Sequence, residues 1–146
     1  SLQIIESNFE EKEVILAGIE QNGFLLAKEL NKMITELSKL SIKLCSLKID
    51  KKNPLNNIST SLNSSEYKNK SIVVVDDVLN SGSTLMYAVK HFLDTELRQL
   101  KTAVLVDRNH KKFPIKADFK GVSLSTSIQN HVKVQFDKNS IEAFLL

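Results

Sequence analysis

Ile72-Val73-Val74-Val75-Asp76-Asp77-Val78-Leu79-Asn80-Ser81-Gly82-Ser83-Thr84 is the stretch that decides how this chain folds. Four consecutive β-branched residues, with no polar residue among them to face water, predict a buried strand. Two adjacent carboxylates, Asp76 and Asp77, cap its C-terminal end, and a hydroxyl-rich turn centred on Gly82 leads into an amphipathic segment. Unpaired backbone N–H groups at a helix start, together with the helix dipole, favour an anion. Gly82 lets the backbone approach a phosphate and take a positive φ. Ser81, Ser83 and Thr84 add hydroxyl donors. The two carboxylates cannot bind phosphate, but they accept hydrogen bonds from vicinal hydroxyls or help to hold Mg2+. Hydroxyl acceptors beside phosphate donors imply a ribose 5-phosphate.

On both sides of this stretch, strand and helix patterns alternate. Glu13 to Ile19 reads as a strand, and Gly23 to Leu40 as a helix with Leu26, Leu30, Met33, Ile34, Leu37 and Leu40 at helical spacing. Ser41 to Ile49 reads as a second strand. After the motif, Leu85 to Leu100 predicts a helix burying Leu85, Val89, Phe92, Leu93 and Leu97. Thr102 to Val106, Val132 to Phe136 and Ile141 to Leu145 are further strand candidates. Such alternation predicts an α/β fold with a mainly parallel sheet flanked by helices. Ligands in such sheets lie beyond the C-terminal strand ends, where Asp76 to Thr84 would stand.

The 146 residues suit one domain spanning 1–146 with a substantial core. Hydrophobic residues make up 42% and charged residues 25%, an ordinary globular balance. A net charge of +3 and a pI near 8.9 suit an anionic ligand without announcing nucleic acid. The single cysteine, Cys45, excludes an intramolecular disulfide and fits a reducing cytoplasm. No apolar run approaches membrane-spanning length, and the N-terminus does not read as a signal peptide. The opening Ser1, followed early by a strand, reads as a trimmed start. No internal repeat is present.

Asp50 to Lys70 holds Pro54, five Asn and four Ser, with few large apolar residues and no periodicity. It reads either as a surface loop or, since it ends where the ligand strand begins, as a lid.

The run Val73 to Thr84 resembles the phosphoribosyl-diphosphate (PRPP) loop of the type I phosphoribosyltransferases. The resemblance rests on an apolar strand, two acidic residues, two apolar residues and a hydroxyl-Gly-x-Thr turn. Val106-Asp107-Arg108-Asn109-His110-Lys111-Lys112-Phe113-Pro114-Ile115, Ala117-Asp118-Phe119 and Ser125-Thr126-Ser127 resemble the hood of one subfamily. That subfamily is the pyrimidine-operon attenuation regulators with uracil phosphoribosyltransferase activity. Leu16-Ala17-Gly18-Ile19, the turn Glu20-Gln21-Asn22-Gly23 and Leu26-Ala27 are similar to the family's pyrophosphate-loop region. Only the extreme N-terminus, where the family usually has another helix, lies outside the likeness.

The resemblance implies a type I fold with a lid at about 50–70 and a small hood at about 107–130. By it, Asp76 and Asp77 bind the ribose 2- and 3-hydroxyls as catalytic residues, and Asn80, Ser81, Gly82, Ser83 and Thr84 cradle the 5-phosphate. Glu20, Gln21, Asn22 and Gly23 form the pyrophosphate loop, which in the family often carries a strained peptide bond. Val106, Asp107 and Arg108 frame the nucleobase. Mg2+ arrives with PRPP, with Asp76 and Asp77 as its candidate protein ligands. The implied activity is transfer of ribose 5-phosphate from PRPP to a nucleobase, uracil or a related pyrimidine first. The implied setting is cytoplasmic, as a homo-oligomer.

Three departures qualify this. Relatives acting on 6-oxopurines usually carry Asp where this chain has Asn80, and an amide is no base near neutral pH. The regulators have basic residues at the pyrophosphate turn, where this chain has Glu20, Gln21 and Asn22; an acidic residue there costs electrostatic stabilisation. The lid has no Arg, although Lys51 and Lys52 can supply charge more loosely.

Two alternatives stand beside the enzyme. Lys111, Lys112, Lys116 and Lys120, interleaved with Phe113 and Phe119, also fit an RNA-binding attenuation regulator. A degenerate domain that binds PRPP or nucleotide without turnover fits the acidic turn. A kinase-type P-loop is excluded, because no Lys follows the glycine turn in the required spacing, and the G-x-S-x-G elbow of hydrolases is absent. His91, His110 and His131 lack metal-site spacing, and His91 reads as structural or exposed.

Overall fold

The structure, a computed structural model, describes residues 1–125 and 129–146. Thr126, Ser127 and part of the expected hood at about 107–130 therefore lie outside the described residues.

The elements run α1 (Leu2–Ser7), β1 (Glu13–Ile19), α2 (Asn22–Leu37), β2 (Ser41–Lys48), β3 (Ser59–Thr60), α3 (Ser64–Tyr67), β4 (Ser71–Leu79), α4 (Ser83–Leu93), β5 (Gln99–Asp107), β6 (Phe119–Ser123), β7 (Val132–Phe136) and β8 (Ile141–Leu145). One six-stranded sheet has the order β3-β2-β1-β4-β5-β6, and β7 and β8 form a separate antiparallel pair. Every pairing in the large sheet is parallel except β2 with β3. The expected mainly parallel α/β architecture is present.

Parallel strands covered by helices on both faces explain the uninterrupted apolar runs. Ile72, Val73, Val74 and Val75 have no exposed surface, and burying each is worth about 1.5–3 kcal/mol. Successive side chains go to opposite faces. Val14, Leu16, Val73 and Val75 pack with Leu26, Ala27 and Ile34 of α2, whereas Ile15, Ala17, Ile72 and Val74 pack with Leu85, Ala88 and Phe92 of α4.

Several elements differ from the sequence expectation, each for a tertiary reason. The acidic pair does not end β4, which runs on to Leu79. Pairing with β1 stops at Val75, but pairing with β5 continues to Asp107. The helix expected to reach Leu100 ends at Leu93, leaving Leu93 exposed. Beyond it, the Asn69 N–H donates to Glu96 O and the Arg98 N–H to Lys70 O (2.8 and 3.1 Å), which draws 96–98 toward the start of β4. The first long helix ends at Leu37, not Leu40. Ser38 turns both its N–H and its hydroxyl onto Ile34 O, and its Oγ accepts the Leu40 N–H.

β6 had no strand signal, because four of its five residues are exposed on an edge. The N-terminal helix α1 also escaped, although its Ile4 is buried and Asn8 links Ile4 O to the Ser71 hydroxyl. The Asp50–Lys70 stretch is structureless only in part. Its second half contains β3 and α3, whose N-terminus is closed by a capping box between Asn63 and Glu66. Tyr67 there packs edge-on against Phe92 in the core.

Candidate functional site

In the large sheet the chain passes from β1 outward to β2, then returns to the other side of β1 as β4. The carboxyl ends of β1 and β4 thus flank a topological switch point, where parallel sheets open a crevice. A cavity of about 200 Å3 lies there, lined by Lys51, the run from Asp76 to Leu85, Val104 and Val132. The acidic pair and the whole expected phosphate turn meet in it.

The turn is shaped by Gly82, at φ 88°. A side chain is disfavoured there twice over, since a Cβ would also come within 2.7 Å of Ile115 Cγ2. Gly82 is the N-cap of α4 and has no side chain to cap it, so the first-turn N–H groups after that of Ser83 face the cavity side of the turn without a side-chain cap. The Ser81 hydroxyl takes only the Ser83 N–H, at 3.3 Å. Behind the turn, Ser81 O accepts the Lys112 and Phe113 N–H groups (2.7 and 3.1 Å), and Phe113 packs edge-on against Tyr87. The first part of the expected hood is therefore a buttress for the phosphate turn. Backbone contacts between residues some thirty positions apart leave no side-chain signal in the sequence.

Asp76 is 3% exposed and Asp77 half-buried. Asp76 Oδ1 accepts the Asp77 N–H (2.9 Å), and Asp77 Oδ1 accepts the Val78 N–H (2.9 Å). Asn22 Nδ2 donates to Asp77 Oδ2 at 3.0 Å and to Val134 O at 3.4 Å. Lys51 Nζ stands 3.7 Å from Asp76 Oδ1. Burial pushes the Asp76 carboxyl up to about 7; Lys51 opposes the shift, and the neighbouring Asp77 charge adds to it.

Glu20 to Gly23 lie beside the pair without lining the cavity. The Glu20–Gln21 peptide bond is cis, and the Glu20 N–H donates to Leu47 O (2.8 Å). Gly23 is where backbone meets backbone: a Cβ there would stand 2.5 Å from Val75 O and 3.1 Å from Asp76 Cα. Val106, Asp107 and Arg108 are buried and likewise outside the cavity wall. Asp107 Oδ2 faces Lys111 and Lys120 (3.6 and 3.9 Å). Arg108 donates to Asn80 Oδ1 (3.0 Å) and to Asn130 O. A guanidinium has only donors, so it fixes which end of the Asn80 amide faces it. Val132 on the cavity wall and the hold of Asn22 on Asp77 went unread in the sequence, since both depend on distant segments converging.

The lysines singled out for RNA are exposed, but Phe113 packs on Tyr87 and Phe119 on the α2 side of the core. Both rings are half-buried. His91 is half-buried beside Phe92, its pKa lowered by burial.

Among the described residues no group of three or more His, Cys, Asp and Glu could hold a metal. Two neighbouring carboxylates with open space beside them do fit Mg2+, which brings most of its oxygen ligands as phosphate and water.

Comparison with known proteins shows the family. Residues 1–139 match the phosphoribosyl transferase domain model. The chain is 34% identical over 143 residues to the bifunctional protein PyrR of Clostridium perfringens, covering 92% of this chain and 80% of that protein. It is 35% identical over 156 residues to the bifunctional protein PyrR of Bacillus pumilus, covering 97% and 86%. The fold superimposes on the hypoxanthine phosphoribosyltransferase of Trypanosoma cruzi in complex with its product IMP, with a TM-score of 0.75 at 14% identity, covering 94% of this chain and 70% of that one. It also superimposes on a hypoxanthine-guanine phosphoribosyltransferase of Bacillus anthracis, with a TM-score of 0.70 at 23% identity, covering 84% and 71%. This chain belongs to the phosphoribosyl transferase domain family.

Proposed function

We propose that this phosphoribosyltransferase moves the ribose 5-phosphate of PRPP to a pyrimidine, uracil first, and releases pyrophosphate. The observation that carries this reading is the meeting of Asp76, Asp77 and the glycine turn in one cavity. In it, Asp76 and Asp77 accept the ribose 2- and 3-hydroxyls, while Asn80 to Thr84 hold the 5-phosphate through N–H and hydroxyl donors. The Glu20–Gly23 turn faces the leaving pyrophosphate, and Asn22 keeps Asp77 oriented toward the sugar.

Displacement at C1 of the sugar develops oxocarbenium character, as in glycoside hydrolysis. The protein's work is then to orient both substrates, stabilise the departing charge and exclude water. No protein nucleophile is needed. Asp76 and Asp77 are the residues that would hold Mg2+, which supplies charge neutralisation to the pyrophosphate as it leaves. The free part of the lid, from Asp50 to about 58, would close over PRPP. The lone, buried thiol of Cys45 is in keeping with a cytoplasmic setting.

Asn80 favours a pyrimidine over a 6-oxopurine, because an amide already accepting from Arg108 cannot take a proton from a purine. A screen of nucleobases with PRPP and Mg2+, followed by pyrophosphate release and nucleotide formation, is expected to give turnover with uracil. Turnover with guanine or hypoxanthine and none with uracil would overturn the acceptor assignment. An RNA-regulator role is also consistent with the exposed lysines, and salt-dependent binding of a stem-loop would test it.

The raised pKa of Asp76 sets a pH dependence. Folding favours the protonated carboxyl, so this group's contribution to stability is full below about 4 and is lost as pH rises through about 7. Binding of PRPP with Mg2+ needs the ionised form and runs the opposite way. The dissociation constant is expected to weaken by up to about tenfold per pH unit below 7 and to level off above it. A flat profile between pH 5.5 and 8.5 would remove Asp76 from the binding step.

A further inference from the structure

The cavity has one cationic side chain in its wall, Lys51, among the described residues. It comes from the lid, not from the phosphate turn or the Glu20–Gly23 turn. Its backbone is set by a small closed turn: the Lys52 and Asn53 N–H groups donate to Asp50 Oδ1 (2.9 and 3.2 Å), and Asn56 Nδ2 donates to Asp50 Oδ2 (3.0 Å). From there the lysine reaches 3.7 Å from Asp76 Oδ1, with its side chain 47% exposed against 4% for Asp76. A half-solvated ammonium on a flexible stem thus stands against a carboxylate that the sugar hydroxyls and Mg2+ would need.

We propose that Lys51 is a tethered counter-ion of the PRPP site, seated on Asp76 when the site is empty and transferred to the substrate's diphosphate when PRPP binds. This rests on the PRPP reading of the cavity and adds a consequence to it. A ligand with no diphosphate must break the Lys51–Asp76 pair without giving the ammonium a new partner. PRPP breaks the same pair but repays it, because the Glu20–Gln21–Asn22 turn offers the diphosphate no cation of its own. The lid would then close in response to the diphosphate and stay indifferent to the sugar phosphate alone.

Lys51→Met and Lys51→Arg, titrated calorimetrically at a pH well above 7, where Asp76 is ionised, with PRPP and separately with ribose 5-phosphate, each with Mg2+, test this. Lys51→Met is expected to bind PRPP about tenfold more weakly, the loss of one charge-assisted contact. It is expected to bind ribose 5-phosphate about threefold more tightly, the release of a partly exposed ion pair. Lys51→Arg should keep the order of the parent. Effects of the same sign on both ligands, or on neither, would overturn the proposal and leave Lys51 as an ordinary lid residue. If the parent itself bound neither ligand, the PRPP reading would fall first, and the counter-ion with it.

Discussion

Asp76→Asn together with Asp77→Asn is expected to lower kcat/KM for base-dependent pyrophosphate release by on the order of 10³-fold, taking a charged hydrogen bond as worth about 1.5–3 kcal/mol. Both replacements preserve shape. The amide oxygen at position 76 can still accept the Asp77 N–H, so the end of β4 has no geometric reason to move. What disappears is the negative charge facing the sugar and its Mg2+. Stability should move in the other direction. Asp76 is buried and its carboxyl resists ionisation, so an uncharged amide relieves a desolvation cost the parent carries at neutral pH. Asp76→Asn alone should therefore melt higher than the parent at pH 8 while losing activity. An unchanged rate in the double variant would show that the acidic pair is not the sugar site. A lower melting temperature for Asp76→Asn would show that its charge is well solvated.

Gly23→Ala is expected to damage both stability and activity although it adds a single methyl. The added Cβ would meet Val75 O at 2.5 Å and Asp76 Cα at 3.1 Å, and both obstacles are backbone, so no rotamer change relieves them. Either α2 must lift from the sheet or the end of β4 must shift. Overpacking of this kind costs about 3 kcal/mol, which lowers the melting temperature by roughly 10 °C for a domain of this size. The same shift moves Asn22 off Asp77 and disorganises the acidic pair, so kcat/KM should fall by about 10² even at temperatures where the variant is folded. Thermal melts and steady-state rates measured side by side check both parts. A variant as stable and as active as the parent would mean that α2 does not approach β4 this closely.

How much of this was legible in the sequence follows from how local each signal is. The buried run Ile72–Val75, the acidic pair and the glycine turn are contiguous, and their spacing alone indicated a sugar-phosphate site. The strands around Val14–Leu16 and Leu44–Leu47 and the helical stripe through Leu26 and Ile34 were equally readable, because burial imposes a period on neighbouring residues. Element ends were less so. Glu96-Leu97-Arg98 has good helix formers, yet backbone pairing with Asn69 and Lys70 draws it out of the helix. Edge strand β6 has little burial to impose a pattern, and the capping box at Asn63 lay unnoticed inside a stretch that composition marked as loop.

The sequence by itself determined the α/β class and set the buried strand, the acidic pair and the glycine turn side by side, since these are written in residues adjacent along the chain. The tertiary structure alone decided what surrounds that strand. It brings Asn22 onto Asp77 from 55 positions away, sets Lys51 against Asp76, ties Arg108 to Asn80 and puts Lys112 and Phe113 behind Ser81. These contacts join segments that no periodicity links, and several use backbone groups every residue possesses. Only the packing of α2 and α4 on opposite faces of one sheet brings them together. That packing also buries Asp76, and so raises its carboxyl to about 7.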